Sequence, residues 1–275
     1  MSNQYQVYLI SDSTGETLDR IFLALKAQFK NFKYQTHHFS FTRTENQVLK
    51  IIEKCKKNKN SIILYTVVDN KLSRFLSANA NKEKISCFGV LGDLILSFSK
   101  LLNQEASYLP SGQHILNDEY YNRIEAIQFT INHDDGNSIK DIEKSDIILL
   151  GVSRTSKTPT SIYLANKGYK VSNIPLVNEN SIPDILKKGN KKSCIIGLTA
   201  EPNRLVEIRK NRLNSLKENK NINYVNIEKI QKEVDTSKKT FQKYKWPLID
   251  VTRKSVEETA ASIIKIHEIY SNNAK

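Results

Sequence analysis

Apolar and polar positions follow two periods along this chain. Short runs of branched and aromatic residues, "YQVYLIS" (5–11), "YQTHHFS" (34–40) and "SIILYTV" (61–67), read as buried strands. Between them lie stretches whose apolar residues recur three and four apart. In 12–29 these are Leu18, Ile21, Phe22, Leu25 and Phe29, the spacing of one helix face. Segments 45–57, 70–82 and 91–103 read as helices in the same way. Residues 104–117 lose the periodicity and carry Pro110 and Gly112, so they read as a loop or linker.

The pattern resumes with a helix over 118–131 and a polar turn, "NHDDGN", at 132–137. Strands are then predicted at 145–151, 170–177, 193–199 and 246–252. Helices are predicted at 159–168, 181–189, 201–217 and 255–270, with 225–243 helical and polar. Pro202 suits a first helical turn, and Ser255 with Glu258 spells a capping box. Strand and helix in alternation predict an α/β fold built on parallel sheets. The expected division is an N-terminal α/β domain over 1–110 and a second α/β domain over 111–275.

Composition changes this picture little. With 275 residues, 39% hydrophobic and 26% charged, the chain can bury a substantial core. The formal charge of +13 raises the question of nucleic acid. The lysines, however, are scattered among Asn and Glu, as in "EKCKKNKN", with no aromatic-interleaved basic stripe and no zinc-finger spacing. They read as a solvated surface, or as a field that steers an anionic substrate, and no nucleic-acid partner is expected. Cys55, Cys87 and Cys194 stand far apart, which suits reduced thiols in a cytoplasm; Cys194, inside "SCIIGL", reads as core. No secretory pattern opens the chain, and no segment approaches the roughly 20 apolar residues of a membrane span. A cytoplasmic protein without membrane association is expected.

The candidate chemistry is concentrated in "LLGVSRTSKTPTSIYLA" (149–165). An apolar strand ends at Gly151, a polar turn follows, and a helix begins. That context suits a phosphate-binding loop, in which backbone N–H groups at a helix N-terminus converge on an anion. Gly151, Val152, Ser153, Arg154, Thr155, Ser156, Lys157 and Thr158 form the expected nucleotide cradle. Lys157 would reach the terminal phosphates and Thr158 would hold Mg²⁺. Ser156 stands where the usual pattern has a second glycine; serine fits there if its φ stays negative. Arg154 adds a planar fork for phosphate oxygens. The plain alternative is a lysine-bearing helix start without a ligand.

These residues resemble the bifunctional regulatory proteins of pyruvate, phosphate dikinase. "ISDSTGET", "RIEAIQFTINHDDG" (123–136), "NIPLV", "IGLTAEPNRLVEIRKNRL" (196–213) and "WPLIDVTRKSVEETAASI" (246–263) resemble family blocks in family order. The similarity therefore covers nearly the full chain. It implies a P-loop kinase-like second domain that acts as a serine/threonine protein kinase and a phosphorylase. The kinase activity would take its phosphoryl group from ADP and inactivate the dikinase on a threonine. The phosphorylase would remove that group with inorganic phosphate, giving pyrophosphate. A sister branch acts on phosphoenolpyruvate synthase and carries Cys-Gly before the lysine. Thr155–Ser156 here points to the dikinase branch. The resemblance is also compatible with a homodimer.

Roles for the remaining residues follow from phosphoryl transfer, which asks mainly for positioning and charge balance. Arg154 would stabilise charge on the moving group. Arg253, in "DVTRKS", is a candidate second cation or a solvated helix-start arginine. Asp134 and Asp135 are candidates for the base or a metal partner, against an Asx-turn that merely supports the reversal at Gly136. His133 is a weaker candidate. "SDSTGET" (11–17) would be an anion nest, a turn beside the target threonine, or an ordinary helix cap, and Asp250 a metal-holding acid at a strand end. His37, His38, His114 and His267 show no ligand spacing and are expected to be structural or exposed. Competing readings are a P-loop kinase of small molecules, the same chemistry on phosphoenolpyruvate synthase, and a basic nucleic-acid-binding module.

Overall fold

Every strand pairing in the computed structural model is parallel, in two four-stranded sheets. The structure describes residues 4–112, 118–136, 138, 141–177, 179–188, 193–216 and 222–273. Contacts divide the chain into two compact units, 1–115 and 116–275. His114 and the ends of three predicted segments, Asn137, Gly189 and Lys217, lie outside the described residues.

The first unit runs β1 (Tyr5–Ser11), α1 (Glu16–Lys26), β2 (Tyr34–Phe39), α2 (Glu45–Lys56), β3 (Ser61–Thr66), α3 (Asn70–Lys82), β4 (Ser86–Gly89) and α4 (Gly92–Leu102), with sheet order β2-β1-β3-β4. Period-two alternation in β1 sends Val7 and Leu9 to one face and Tyr8 and Ile10 to the other. The first face packs on Leu18 and Phe22 of α1, the second on Ile51, Ile52 and Leu76 of α2 and α3. Cys55 lies in that second core, where burial pushes its thiol up to about 12.

Three sequence expectations change here. The apolar face expected over 12–29 is shorter, because α1 ends at Lys26 and leaves Leu25 and Phe29 exposed. β4 was not expected; its four residues are a short edge strand that gains its pairing only from β3. α4 has the predicted helical form yet contains no buried residue, and Leu101 is 80% exposed. No residue of α4 joins either core cluster of the small sheet.

The second unit runs α5 (Asp118–Asn132), β5 (Ile147–Gly151), α6 (Lys157–Ala165), β6 (Val171–Pro175), α7 (Asp184–Lys187), β7 (Cys194–Thr199), α8 (Pro202–Leu216), α9 (Ile227–Lys243), β8 (Leu248–Asp250) and α10 (Val256–Asn273). Its order is β6-β5-β7-β8. All five residues of β5 are buried, as expected of a strand covered on both faces. Ile147 and Leu149 pack with Leu164, Val234 and Ile263, while Ile148 and Leu150 pack with Ile174, Ile195 and Phe241. Helix α9, which reads as polar, buries Ile230, Val234, Ser237, Thr240 and Phe241 along one side. The expected capping box at α10 is present, with Glu258 N–H donating to Ser255 Oγ and Ser255 N–H to Glu258 Oε2.

Gly197 in β7 is fixed by packing: a Cβ there would lie 2.6 Å from the Phe241 ring. Gly197→Ala is expected to destabilise the unit by about 1–3 kcal/mol through overpacking. Calorimetry would register this as a Tm lower by several degrees. An unchanged Tm would mean that the ring yields freely.

Two features of this unit prepare a site. The outer edge of β6 is capped by the end of α5: Val171 N–H donates to Thr130 Oγ1 and Asn173 N–H to the His133 carbonyl. That brings the turn 134–136 beside the C-terminal end of β6. In addition, the chain leaves β5 for β6 on one side and later for β7 on the other. The loop after β5 therefore sits at the topological switch point, where open α/β sheets form their ligand crevice. Among the described residues, no helix is long and apolar enough to cross a membrane.

Candidate functional site

The loop between β5 and α6 is an amide-lined turn. Among the described residues, the amide N–H groups of Ser153, Arg154, Ser156, Lys157 and Thr158 donate to no protein atom, while Thr155 closes a turn, so this set of donors is available to an anion. Gly151 is required at its base: a Cβ would meet the Leu198 carbonyl oxygen at 2.6 Å and Thr155 Oγ1 at 2.8 Å. Thr155 is fully buried and its hydroxyl donates to the Val152 carbonyl, pinning the turn from beneath.

Ser156 departs from the sequence expectation. Its φ is +58° rather than negative, and Arg154 has φ +73°. Two non-glycine residues thus hold left-handed conformations, each costing about 1–2 kcal/mol. Strain of this kind collects at functional turns. The positive φ at Ser156 turns the chain into α6 as the missing glycine would have done.

Lys157 is 6% exposed and reaches back over the loop, its Nζ donating to the Val152 carbonyl at 3.1 Å. Burial lowers its pKa to about 8, against the opposing pull of Asp135 and Asp134. An ammonium this poorly solvated gains much from a bound anion.

On the far side of α6's first turn, Thr158 Oγ1 donates to Asp134 Oδ1 at 3.0 Å, and Asn173 Nδ2 donates to both. The cap on β6 is what brings Asp134 here from 24 residues away. Asp135 follows in a left-handed conformation, φ +51°, and is exposed. It lines a cavity of about 290 Å³ with Ser153, Arg154, Ser156, Lys157 and Thr158. The Asx-turn alternative for Asp134 does not match its contacts, which go to Thr158 and Asn173.

The exposed Arg154 donates from Nε to Tyr224 OH at 3.1 Å, and the same hydroxyl lies 3.2 Å from Ser153 Oγ. Burial pushes the Tyr224 phenol up, but these two hydrogen bonds and the charges of Arg154 and Arg209 outweigh it and leave the phenol below its ordinary value. Arg209 is almost fully buried. It donates to the Ser153 and Tyr224 carbonyls and pairs with Glu233 at 2.7 Å, bracing the loop from behind.

Other candidates fall elsewhere. Arg253 is exposed beyond β8 and does not line the loop cavity. Asp250 accepts from Thr252 N–H and Oγ1, which closes a local turn. In the first unit, Asp12 accepts from Val68 N–H, Ser11 Oγ accepts from Ser13 N–H and Thr66 Oγ1, and Gly15 enters α1 at φ +92°. Burial raises the Asp12 pKa, opposed by backbone amides and Arg43. That turn is accounted for by its own hydrogen bonds. His37 pairs with Gln6, and His38 with Asp19. His267 stands edge-on to the Tyr169 ring.

A family model described as kinase/pyrophosphorylase matches residues 7–264. The chain belongs to the kinase/pyrophosphorylase family. A Pelagibacter ubique protein is 70% identical over 99% of this chain and the whole of its own length. A protein of the Wolbachia of Brugia malayi is 44% identical over 94% of this chain and 96% of its own. One from Erythrobacter litoralis is 42% identical over 95% and 93%. All three carry the provisional name of pyruvate, phosphate dikinase regulatory protein.

Sequence reasoning missed three residues of this candidate site: Asn173, Arg209 and Tyr224. Asn173 left a signal, since an amide inside the apolar strand "VSNIP" must find a buried partner. Arg209 lies on a helix rich in charge, where nothing local distinguishes a buried arginine from a solvated one.

Proposed function

We propose that this protein regulates a pyruvate, phosphate dikinase by reversible phosphorylation of a threonine. ADP is the donor in one direction and inorganic phosphate the acceptor in the other. The observation that carries the phosphoryl chemistry is the amide-lined loop with Lys157 buried across it. The provisional name of the relatives supports the partner. The pyrophosphorylase in the family description fits a reverse reaction that yields pyrophosphate.

In the forward direction the threonine Oγ attacks the β-phosphorus of ADP. The bond from that phosphorus to the bridging oxygen breaks, AMP leaves with the electron pair, and the hydroxyl proton passes to Asp135. In reverse, an oxygen of inorganic phosphate attacks the phosphothreonine phosphorus. Pyrophosphate forms, the bond to Oγ breaks, and Oγ recovers the proton from Asp135. Lys157, Arg154 and the loop amides hold the diphosphate and balance charge on the moving group. Thr158 Oγ1 and Asp134 Oδ1, 3.0 Å apart, are hard oxygen donors of the kind Mg²⁺ takes alongside phosphates and water. When bound there, Mg²⁺ would neutralise charge on the phosphate oxygens.

The deciding assay offers dikinase to the protein with ADP labelled on the β-phosphate. Label on a dikinase threonine is expected; transfer only from ATP, or only to a small metabolite, overturns the reading.

A pH dependence follows from Lys157. Its pKa is about 8 in the free protein, and a bound diphosphate raises it. Between these two values binding takes up a proton, so the lysine's hold on ADP is level below pH 8 and weakens as pH rises above it. Calorimetry in buffers of different ionisation enthalpy should register the uptake near pH 8.5. Proton release there would contradict the assignment.

A further inference from the structure

Beside the loop cavity lies a second one, of about 250 Å³, which shares Asp135 and Pro175 with it. Ile142, Ile174 and Val177 give it an apolar side, and His133 forms part of its wall. His133 is 6% exposed, and its ring stacks on Phe129 at 3.9 Å. Its Nδ1 must carry the proton, because it donates to the Phe129 carbonyl at 2.8 Å. Nε2 is thereby left as an acceptor and, among the described residues, has no partner. An unmet acceptor of this kind costs about 1–3 kcal/mol, a cost that a donor reaching the His133 wall of the cavity would relieve.

We propose that this second cavity receives the acceptor threonine of the protein substrate. The hydroxyl faces Asp135, the methyl rests on the Ile174 and Pro175 wall, and His133 Nε2 accepts from a donor on the incoming segment. The assignment rests on the phosphoryl-transfer reading above. One observation favours a protein side chain over the nucleoside. Thr158 marks the metal end of the phosphate tail, and its hydroxyl faces Asp134; a cavity beyond Asp134 and Asp135 therefore lies off the reacting phosphate, opposite the nucleoside.

Val177 is 72% exposed at the rim, so Val177→Trp can narrow the cavity without disturbing the core. The test measures ADP affinity by calorimetry, and KM for intact dikinase, with this variant and with His133→Leu. Expected for Val177→Trp is a KM for dikinase raised about tenfold or more with ADP affinity within twofold of the parent. A dikinase whose threonine is replaced by serine should be phosphorylated about tenfold less efficiently by the parent protein, since one methyl in an apolar pocket discriminates by at least that much. His133→Leu should repeat the KM effect if it folds; Val177→Trp decides the matter if it does not. An unchanged KM in Val177→Trp overturns the proposal. So does a loss of ADP affinity above tenfold, which would make the cavity the nucleoside seat. If the parent protein transfers no phosphoryl group at all, the functional reading itself has failed.

Discussion

Lys157→Met is expected to slow phosphoryl transfer in both directions by about 10²–10³, the usual loss when one preorganised charge stabiliser is removed. The lysine sits across the loop with its charge poorly solvated and is 6% exposed. Methionine keeps the stem and the packing, so folding should survive and the loss should be specific to the phosphate. ADP affinity should fall as well, and the pH dependence of binding above pH 8 should vanish with the ammonium. Single-turnover rates with labelled ADP, and with phosphorylated dikinase plus inorganic phosphate, give the two numbers. Rates within threefold of the parent in both directions would remove Lys157 from the reaction.

Asp135→Asn should cost about 10²–10⁴ in both directions, the range for loss of a positioned acid or base, while leaving ADP affinity close to that of the parent. Asp135 is the assigned base because it is exposed and lines both cavities. Asp134, by contrast, is engaged by Thr158 and Asn173. The neighbour makes the comparison informative: Asp134→Asn should raise the Mg²⁺ concentration needed for half-maximal rate, and Asp135→Asn should not. If Asp134→Asn shows the larger loss at saturating Mg²⁺, the two roles are exchanged. A loss in the forward direction alone would mean that the two activities use different bases.

Much of this site was legible in the linear chain because its parts are contiguous. A buried strand, a polar turn and a helix start within 149–165 place amides, Lys157 and Thr158 in one locality whatever surrounds them. The reading failed where conformation depends on more than neighbours. Ser156 was expected to keep a negative φ, but it stands at +58° where the turn, crowded at Gly151 by the Leu198 carbonyl and the Thr155 hydroxyl, enters α6. The HDDG turn showed carboxylates but not their destination, since Asp134 meets Thr158 only through the cap that α5 places on β6.

The same contrast runs through the fold. Period and turn chemistry carried the strand and helix alternation, and with it the parallel sheets, because burying one face requires a fixed repeat. Four residues of β4 hold no such repeat, and they are a strand only because β3 offers an edge. Helix α4 has the repeat and no core to meet. For this protein, local order and the side chains of the loop at 151–158 are written in the chain itself, since they depend on backbone sterics and adjacent residues. Which carboxylate faces which hydroxyl, which arginine is buried behind the loop, and where a second cavity opens were settled by long-range packing, which brings together residues that no spacing rule connects.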